Sequence, residues 1–125
     1  LSPTGAYRPF PKSSGQKVLS ATTTKQMREM LEGVVIHGTG TRAAVEGYTV
    51  AGKTGTAQKP MIDRRGYGDE YTSIFAGFVP VAEPKITIVV VLDEPEEHSA
   101  GRAVAPVFSA IAAEVLSAIG VPESE

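Results

Sequence analysis

The sequence predicts an α+β fold, an antiparallel sheet flanked by helices, on three observations. Residues 85–92 (KITIVVVL) are a continuous β-branched run, the mark of a strand buried on both faces. Residues 71–79 alternate as a strand does, and the proline-bearing stretch 80–84 between the two runs makes them a hairpin over 71–92. Val104, Val107, Phe108, Ile111, Ala112, Val115, Leu116 and Ile119 keep the spacing of one helix face, which predicts a closing helix over 102–119. Strands that follow one another before a helix, rather than alternating with helices, favour antiparallel pairing.

The remaining elements follow in chain order. Residues 1–19 read as an extended connection, because Pro3, Pro9 and Pro11 block helix and central strand alike. A helix is expected over 20–37: hydroxyls at 20–24 offer caps, and Met27, Met30, Leu31, Val34 and Val35 form one stripe. Gly38-Thr39-Gly40-Thr41 reads as a loop, since two glycines make regular structure costly. Residues 48–58 are rich in Thr, Val and Gly and read as a strand whose glycines mark close approach to its backbone. Residues 63–70 (DRRGYGDE) read as a charged loop. Pro106 falls in the first turn of the last helix, where it is tolerated.

A chain of 125 residues has room for one domain or part of one. It starts at Leu1 without methionine, which reads as a fragment or a processed product. Twelve basic against 14 acidic residues leave a net charge of -2, so no nucleic-acid footprint is present. The absence of cysteine excludes a disulfide framework, a zinc finger and a thiol nucleophile. No uninterrupted apolar run approaches the roughly 20 residues that span a bilayer. His37 and His98 have no carboxylate or second histidine at ligand spacing, so surface or capping roles and no metal are expected; no organic cofactor is expected either. Asp93, Glu94, Glu96 and Glu97 follow a strand end beside Pro95 and read as a solvated turn rather than paired acids.

Gly47-Tyr48-Thr49-Val50-Ala51-Gly52-Lys53-Thr54 matches the phosphate-binding pattern G-x-x-x-x-G-K-[ST], but its surroundings do not. That loop must follow a buried strand and open a helix, and residues 55–60 are a poor helix start. The same residues continue as Lys53-Thr54-Gly55-Thr56 on a strand, the K-T-G signature of β-lactamases and penicillin-binding proteins.

The order Gly38-Thr39-Gly40-Thr41, then residues 47–58, then Phe75-Ala76-Gly77-Phe78 and Asp93-Glu94-Pro95 resembles class B penicillin-binding proteins. Tyr7-Arg8-Pro9, the helix around Met27 to Glu32 and Ala105-Pro106-Val107-Phe108 extend the resemblance over nearly the whole chain. The resemblance implies the C-terminal portion of a transpeptidase domain of the penicillin-binding/β-lactamase-like fold, the cell-division type first among its subtypes. Such proteins are membrane-anchored, extracytoplasmic D,D-transpeptidases that cross-link peptidoglycan stem peptides through a serine acyl-enzyme and are acylated by β-lactams. Their other two motifs, Ser-x-x-Lys and Ser-x-Asn, lie upstream of Lys-Thr-Gly. No Ser-x-x-Lys able to supply the nucleophile is expected here, since Ser13-Ser14-Gly15-Gln16-Lys17 is read as having the wrong spacing and lies in the Pro-rich connection. The chain alone is therefore expected to be inactive, with the N-terminal remainder of the domain and division or elongation proteins as partners of the parent.

By the same resemblance, Lys53 brings positive charge to the cleft, Thr54 and Thr56 hold the substrate's terminal carboxylate, and the Thr56 N–H serves the oxyanion hole. Gly55 admits the substrate backbone, and Gln58 and Tyr71 border the site. Each has a plainer alternative: an edge-strand lysine that discourages aggregation, threonines with β-propensity, a packing tyrosine. Two other readings use the same motif: a serine β-lactamase or β-lactam sensor, and a non-catalytic scaffold. The Phe-Ala-Gly-Phe and Asp-Glu-Pro context favours the transpeptidase. His98-Ser99-Ala100-Gly101-Arg102 departs from the aromatic and Gly-Gly common in division-type relatives, which bears on one wall of the cleft.

Overall fold

The Ser20 hydroxyl accepts a 3.0 Å hydrogen bond from the Thr23 N–H and starts helix α1, Ala21–His37. It belongs to a computed structural model that describes residues 15–61, 65–97 and 99–123. The rest of the expected extended connection, with Tyr7-Arg8-Pro9, lies outside the described residues, as does His98. Beyond α1 the chain forms a 3-10 turn at Thr41–Ala43, strands β1 (Ala51–Pro60), β2 (Tyr67–Val79) and β3 (Ile86–Asp93), then helices α2 (Ala100–Ala103) and α3 (Ala105–Ala118). The strands form an antiparallel meander in the order β1-β2-β3. This is an α+β arrangement of helices and a three-stranded antiparallel sheet.

Register sorts the side chains onto two faces, because residues paired across antiparallel strands point the same way. Thr54 pairs with Phe75 and Phe75 with Val90, so these three share one face. Phe75, Val79, Val90, Val104, Phe108, Ala112 and Leu116 close the core there, with Val35 of α1. The Phe75 and Phe108 rings meet edge to face, centroids 4.7 Å apart at 62°. Gly52 and Gly77, paired opposite each other, make the space: a Cβ on Gly52 would lie 2.5 Å from Phe75 Cζ, and one on Gly77 2.9 Å from Phe108 Cζ.

On the other face Val89 and Val91 are 60% and 54% exposed. The β-branched run at 85–92, read from sequence as buried on both faces, is thus covered on one face by the described residues. The run alone cannot report this, since a valine at an open position and one at a closed position read alike.

Other boundaries differ from the sequence reading for local reasons. β2 begins at Tyr67, inside the expected 63–70 loop: the Met61 N–H donates to Gly66 O at 3.0 Å, Gly66 takes φ 126°, and Pro60 pairs with Tyr67 past an irregularity after Gln58. β1 begins at Ala51, because Val45 and Tyr48 form their own bridge around Gly47 at φ 77°. The closing helix is broken at Val104, the residue between α2 and α3. The stretch Ala100–Ala118 is long and apolar enough to cross a membrane by length and composition, although Arg102 and Glu114 interrupt it. Ala100, Val104, Ala105, Phe108, Ala112 and Leu116 are nevertheless buried in the core, while Val107 and Ile111 of the same stretch are exposed.

Candidate functional site

β1 is an edge strand among the described residues, so its outer side offers main-chain donors and acceptors without a strand partner. Ala51 and Gly52 are buried, Thr54 and Gly55 half-buried, Lys53 and Thr56 exposed. The strand therefore leaves the core as it enters Lys53-Thr54-Gly55-Thr56. No helix starts at Lys53, which excludes the phosphate-loop reading of the same letters, a loop that needs a helix N-terminus.

Thr54 and Thr56, paired with Phe75 and Ser73, lie on the core-side face, and Lys53 and Gly55 on the opposite one. The Lys53 ammonium nonetheless turns back along the edge, donating to Thr54 O at 2.6 Å and to Thr54 Oγ1 at 3.3 Å. A Cβ on Gly55 would meet only Ile74 Cβ at 3.8 Å, an ordinary contact. The chain's own packing thus demands glycine at position 52, where Phe75 intrudes, and makes no such demand at position 55.

A second segment reaches this strand. Thr39 Oγ1 lies 2.7 Å from Thr54 Oγ1. Its loop is pinned because Val34 O at the end of α1 accepts from both Gly38 N–H (3.1 Å) and Gly40 N–H (3.0 Å). Gly40 packs close to Phe75 and Val34, and a Cβ on Gly101 of α2 would overlap the Thr39 carbonyl oxygen. Sequence reading took 38–41 as a loop and gave Thr39 no role. Two glycines flanking one threonine, ahead of the Lys-Thr-Gly strand, were the available signal.

Gln58 and Tyr71 face each other across β1 and β2, away from Lys53 along the strand. Gln58 Nε2 donates to Gly68 O at 2.7 Å, so this side chain ties down the β1–β2 connection. Tyr71 is half-buried, and its carbonyl oxygen accepts from the Glu94 N–H at 2.9 Å. Beyond them lies an ionic group that spans the sheet. Lys59 Nζ donates to Glu94 at 2.6 Å and to Asp93 at about 3 Å, and Thr72 Oγ1 donates to Asp93 at 3.1 Å. The bonds to Glu94 and then Asp93 hold Lys59 above the ordinary lysine range, and Lys59, then Thr72, hold Asp93 below the carboxylate range. Asp93 and Glu94, expected as a solvated turn, are exposed and are also joined to β1. Their partner is 34 and 35 residues away in sequence, beyond the reach of any local pattern.

Ser14-Gly15-Gln16-Lys17 does carry the spacing Ser-x-x-Lys, which corrects the dismissal of this stretch. A serine and lysine three apart meet when the chain is helical between them, and residues 15–17 are exposed and non-helical, ahead of the Ser20 cap. Ser14 itself lies outside the described residues. Among the described residues no cluster of His, Asp and Glu is arranged to hold a metal ion.

The Lys-Thr-Gly motif shared by class A β-lactamases and penicillin-binding proteins stands here on an edge strand, with the core on one face and the Gly38–Gly40 loop against Thr54. The family model for the penicillin-binding protein transpeptidase domain matches residues 8–113, and the chain belongs to that family. Penicillin-binding protein PbpB of Mycolicibacterium smegmatis is 37% identical over 99% of the chain. Stage V sporulation protein D of Bacillus subtilis is 40% identical over 85% of it, and peptidoglycan D,D-transpeptidase FtsI of Escherichia coli 35% over 94%. The chain covers 21%, 17% and 21% of these relatives, about a fifth of their length. Among solved structures, the transpeptidase domain of penicillin-binding protein 3 from Burkholderia pseudomallei superposes with TM-score 0.79 at 43% identity, covering 90% of this chain and 34% of that one. The ampicillin complex of penicillin-binding protein 3 from Mycobacterium tuberculosis gives 0.82 at 36% identity, covering 98% and 29%.

Proposed function

We propose that this chain forms the Lys-Thr-Gly side of the active site of an extracytoplasmic, membrane-anchored peptidoglycan D,D-transpeptidase. The nucleophilic serine and its lysine come from sequence outside the chain. The observation that carries the reading is the exposed edge of β1 at Lys53-Thr54-Gly55-Thr56, with Thr39 and Lys53 both bonded to Thr54. The substrate class is a stem peptide ending in D-alanyl-D-alanine, and β-lactams acylate the same serine.

The reaction needs three things of this wall. An extended peptide is recognised by main-chain pairing along a free strand edge, which β1 offers. A terminal carboxylate requires donors, supplied by the Thr54 and Thr56 hydroxyls with the Lys53 charge behind them. The tetrahedral oxyanion requires a pair of N–H donors, one from Thr56 and one from the nucleophile's own residue. Losing one such donor costs about 3 kcal/mol in comparable enzymes. Gly55 lets the peptide lie close to the strand, and Gln58 and Tyr71 close the far end of the site. Gln58 acts there by holding the β1–β2 connection through Gly68.

The test is a covalent one. The full-length gene product is incubated with a fluorescent penicillin and read by intact mass, beside Lys53→Ala. A single stable adduct, formed at least about tenfold more slowly in the variant, is expected from loss of a charge-assisted contact. A folded protein that forms no adduct would refute the reading.

A further inference from the structure

We infer that Thr39 is a positioning residue that sets the direction of the Thr54 hydroxyl proton, and so tunes selection for a free carboxylate at the site proposed above. The inference rests on that site and adds to it a residue outside the Lys-Thr-Gly strand.

A hydroxyl carries one proton and two acceptor positions. Lys53 Nζ, 3.3 Å from Thr54 Oγ1, occupies one acceptor position, because an ammonium only donates. Thr39 Oγ1 at 2.7 Å occupies a second position, and either hydroxyl can be the donor in that pair. When Thr39 donates, both acceptor positions of Thr54 are filled and its proton is left for a third group. An ionised carboxylate, which accepts only, then meets a donor already aimed at it. When Thr54 donates to Thr39, the proton is spent inside the wall. A bound carboxylate selects the first arrangement and an ester selects it less, since an ester oxygen is the poorer acceptor.

Thr39 is held well enough for this role. Val34 O accepts from the residues on both sides of it, and Gly101 presses on its carbonyl with no room for a Cβ. The hydroxyl pair therefore relies on backbone fixed by α1 and α2, not on a free loop. α2 leads into α3 through Val104, so the closing helix bears on the Thr39 backbone through Gly101.

The experiment uses the full-length gene product and two probes, a penicillin with its free carboxylate and the methyl ester of the same compound. The readout is the ratio of their acylation rates. Thr39→Val, which keeps the side chain's shape and removes the hydroxyl, is expected to lower the acid rate about fivefold and the ratio with it, leaving the ester rate nearly unchanged. Thr39→Ser is expected to restore the ratio, and Thr39→Val combined with Thr54→Val to lose no more than Thr54→Val alone. Equal slowing of both probes, or no change in the ratio, overturns the inference, since a purely structural residue affects both alike. Thr39→Ala, smaller on an exposed loop, gives the same readout should Thr39→Val fail to fold. Wild-type protein that reacts with neither probe refutes the transpeptidase reading itself, which separates the two failures.

Discussion

Replacing Gly52 by alanine places a methyl group where the structure has an aromatic ring. The added Cβ would stand 2.5 Å from Phe75 Cζ, 2.7 Å from Cε1 and 2.8 Å from Ala76 O. About 1 Å must be regained before ordinary carbon contact is restored. Phe75 has no exposed surface and meets Phe108 edge to face, so its ring cannot swing aside without disturbing a second buried ring. Ala76 O belongs to the paired strand and cannot move alone. The cost should thus reach the upper part of the overpacking range, about 2–3 kcal/mol. Urea unfolding of the full-length gene product measures it, and Phe75→Leu in the same background tests the cause, because leucine lacks both Cε1 and Cζ. The Gly52→Ala penalty is expected to fall by at least about 1 kcal/mol in that background, a coupling typical of residues in contact. A penalty below about 0.5 kcal/mol, or one of equal size in both backgrounds, would show that the glycine is not there to admit the ring. Because Lys53 is the next residue, acylation by penicillin should slow in step with the loss of stability.

Three further outcomes are expected. Phe108→Ala empties a fully buried site against Phe75 and should cost about 3–5 kcal/mol in the same unfolding assay. Ser20→Ala removes the acceptor for the Thr23 N–H and should cost about 1 kcal/mol, read as a lowered unfolding midpoint with acylation unchanged. The Lys59 group predicts a pH dependence. Asp93, with its folded pKa lowered, adds stability that is present above the ordinary carboxylate range and lost as pH falls through the lowered value. Lys59, with its pKa raised, adds stability below the ordinary lysine range that is lost only as pH rises through the raised one. Asp93→Asn should therefore flatten the acid limb of a melting-temperature profile below about pH 4, and an unchanged limb would count against the pairing.

The helices and strands were legible where burial and periodicity coincide. Of the eight-residue stripe read for the last helix, Val104, Phe108, Ala112 and Leu116 are buried, whereas Val107, Ile111 and Ile119 are exposed, so the core face is narrower than the apolar pattern. Lys-Thr-Gly-Thr was legible as part of a strand, and the family was legible from the segments around it rather than from those four residues. What stayed hidden was long-range. Val89 and Val91 differ from Val90 only in which way the strand turns them, and register is settled by partners distant in the chain. The bond from Thr39 to Thr54 depends on Val34 and Gly101 meeting around a loop, and the union of Lys59 with Asp93 and Glu94 depends on three strands standing side by side. A break at Val104 within one apolar stripe is equally silent, because both halves keep the same face inward.

The meander of β1, β2 and β3 also bears on the order in which the domain assembles. Each strand pairs with its immediate successor, so few residues need be closed into a loop before a ladder can form. Arg28 of α1 donates to Val81 O and Ala82 O at 3.3 and 3.1 Å, which joins the first helix to the turn between β2 and β3. The strand ladders can therefore form between sequence neighbours, whereas the face with Phe75 and Phe108 at its centre closes only when α1 and α3 dock on the sheet. The face bearing Val89 and Val91 stays open among the described residues. Pulse-labelled hydrogen exchange during refolding should find the Phe75 and Val90 amides protected in the earliest phase, while the open valine face remains a hazard for self-association until it is covered.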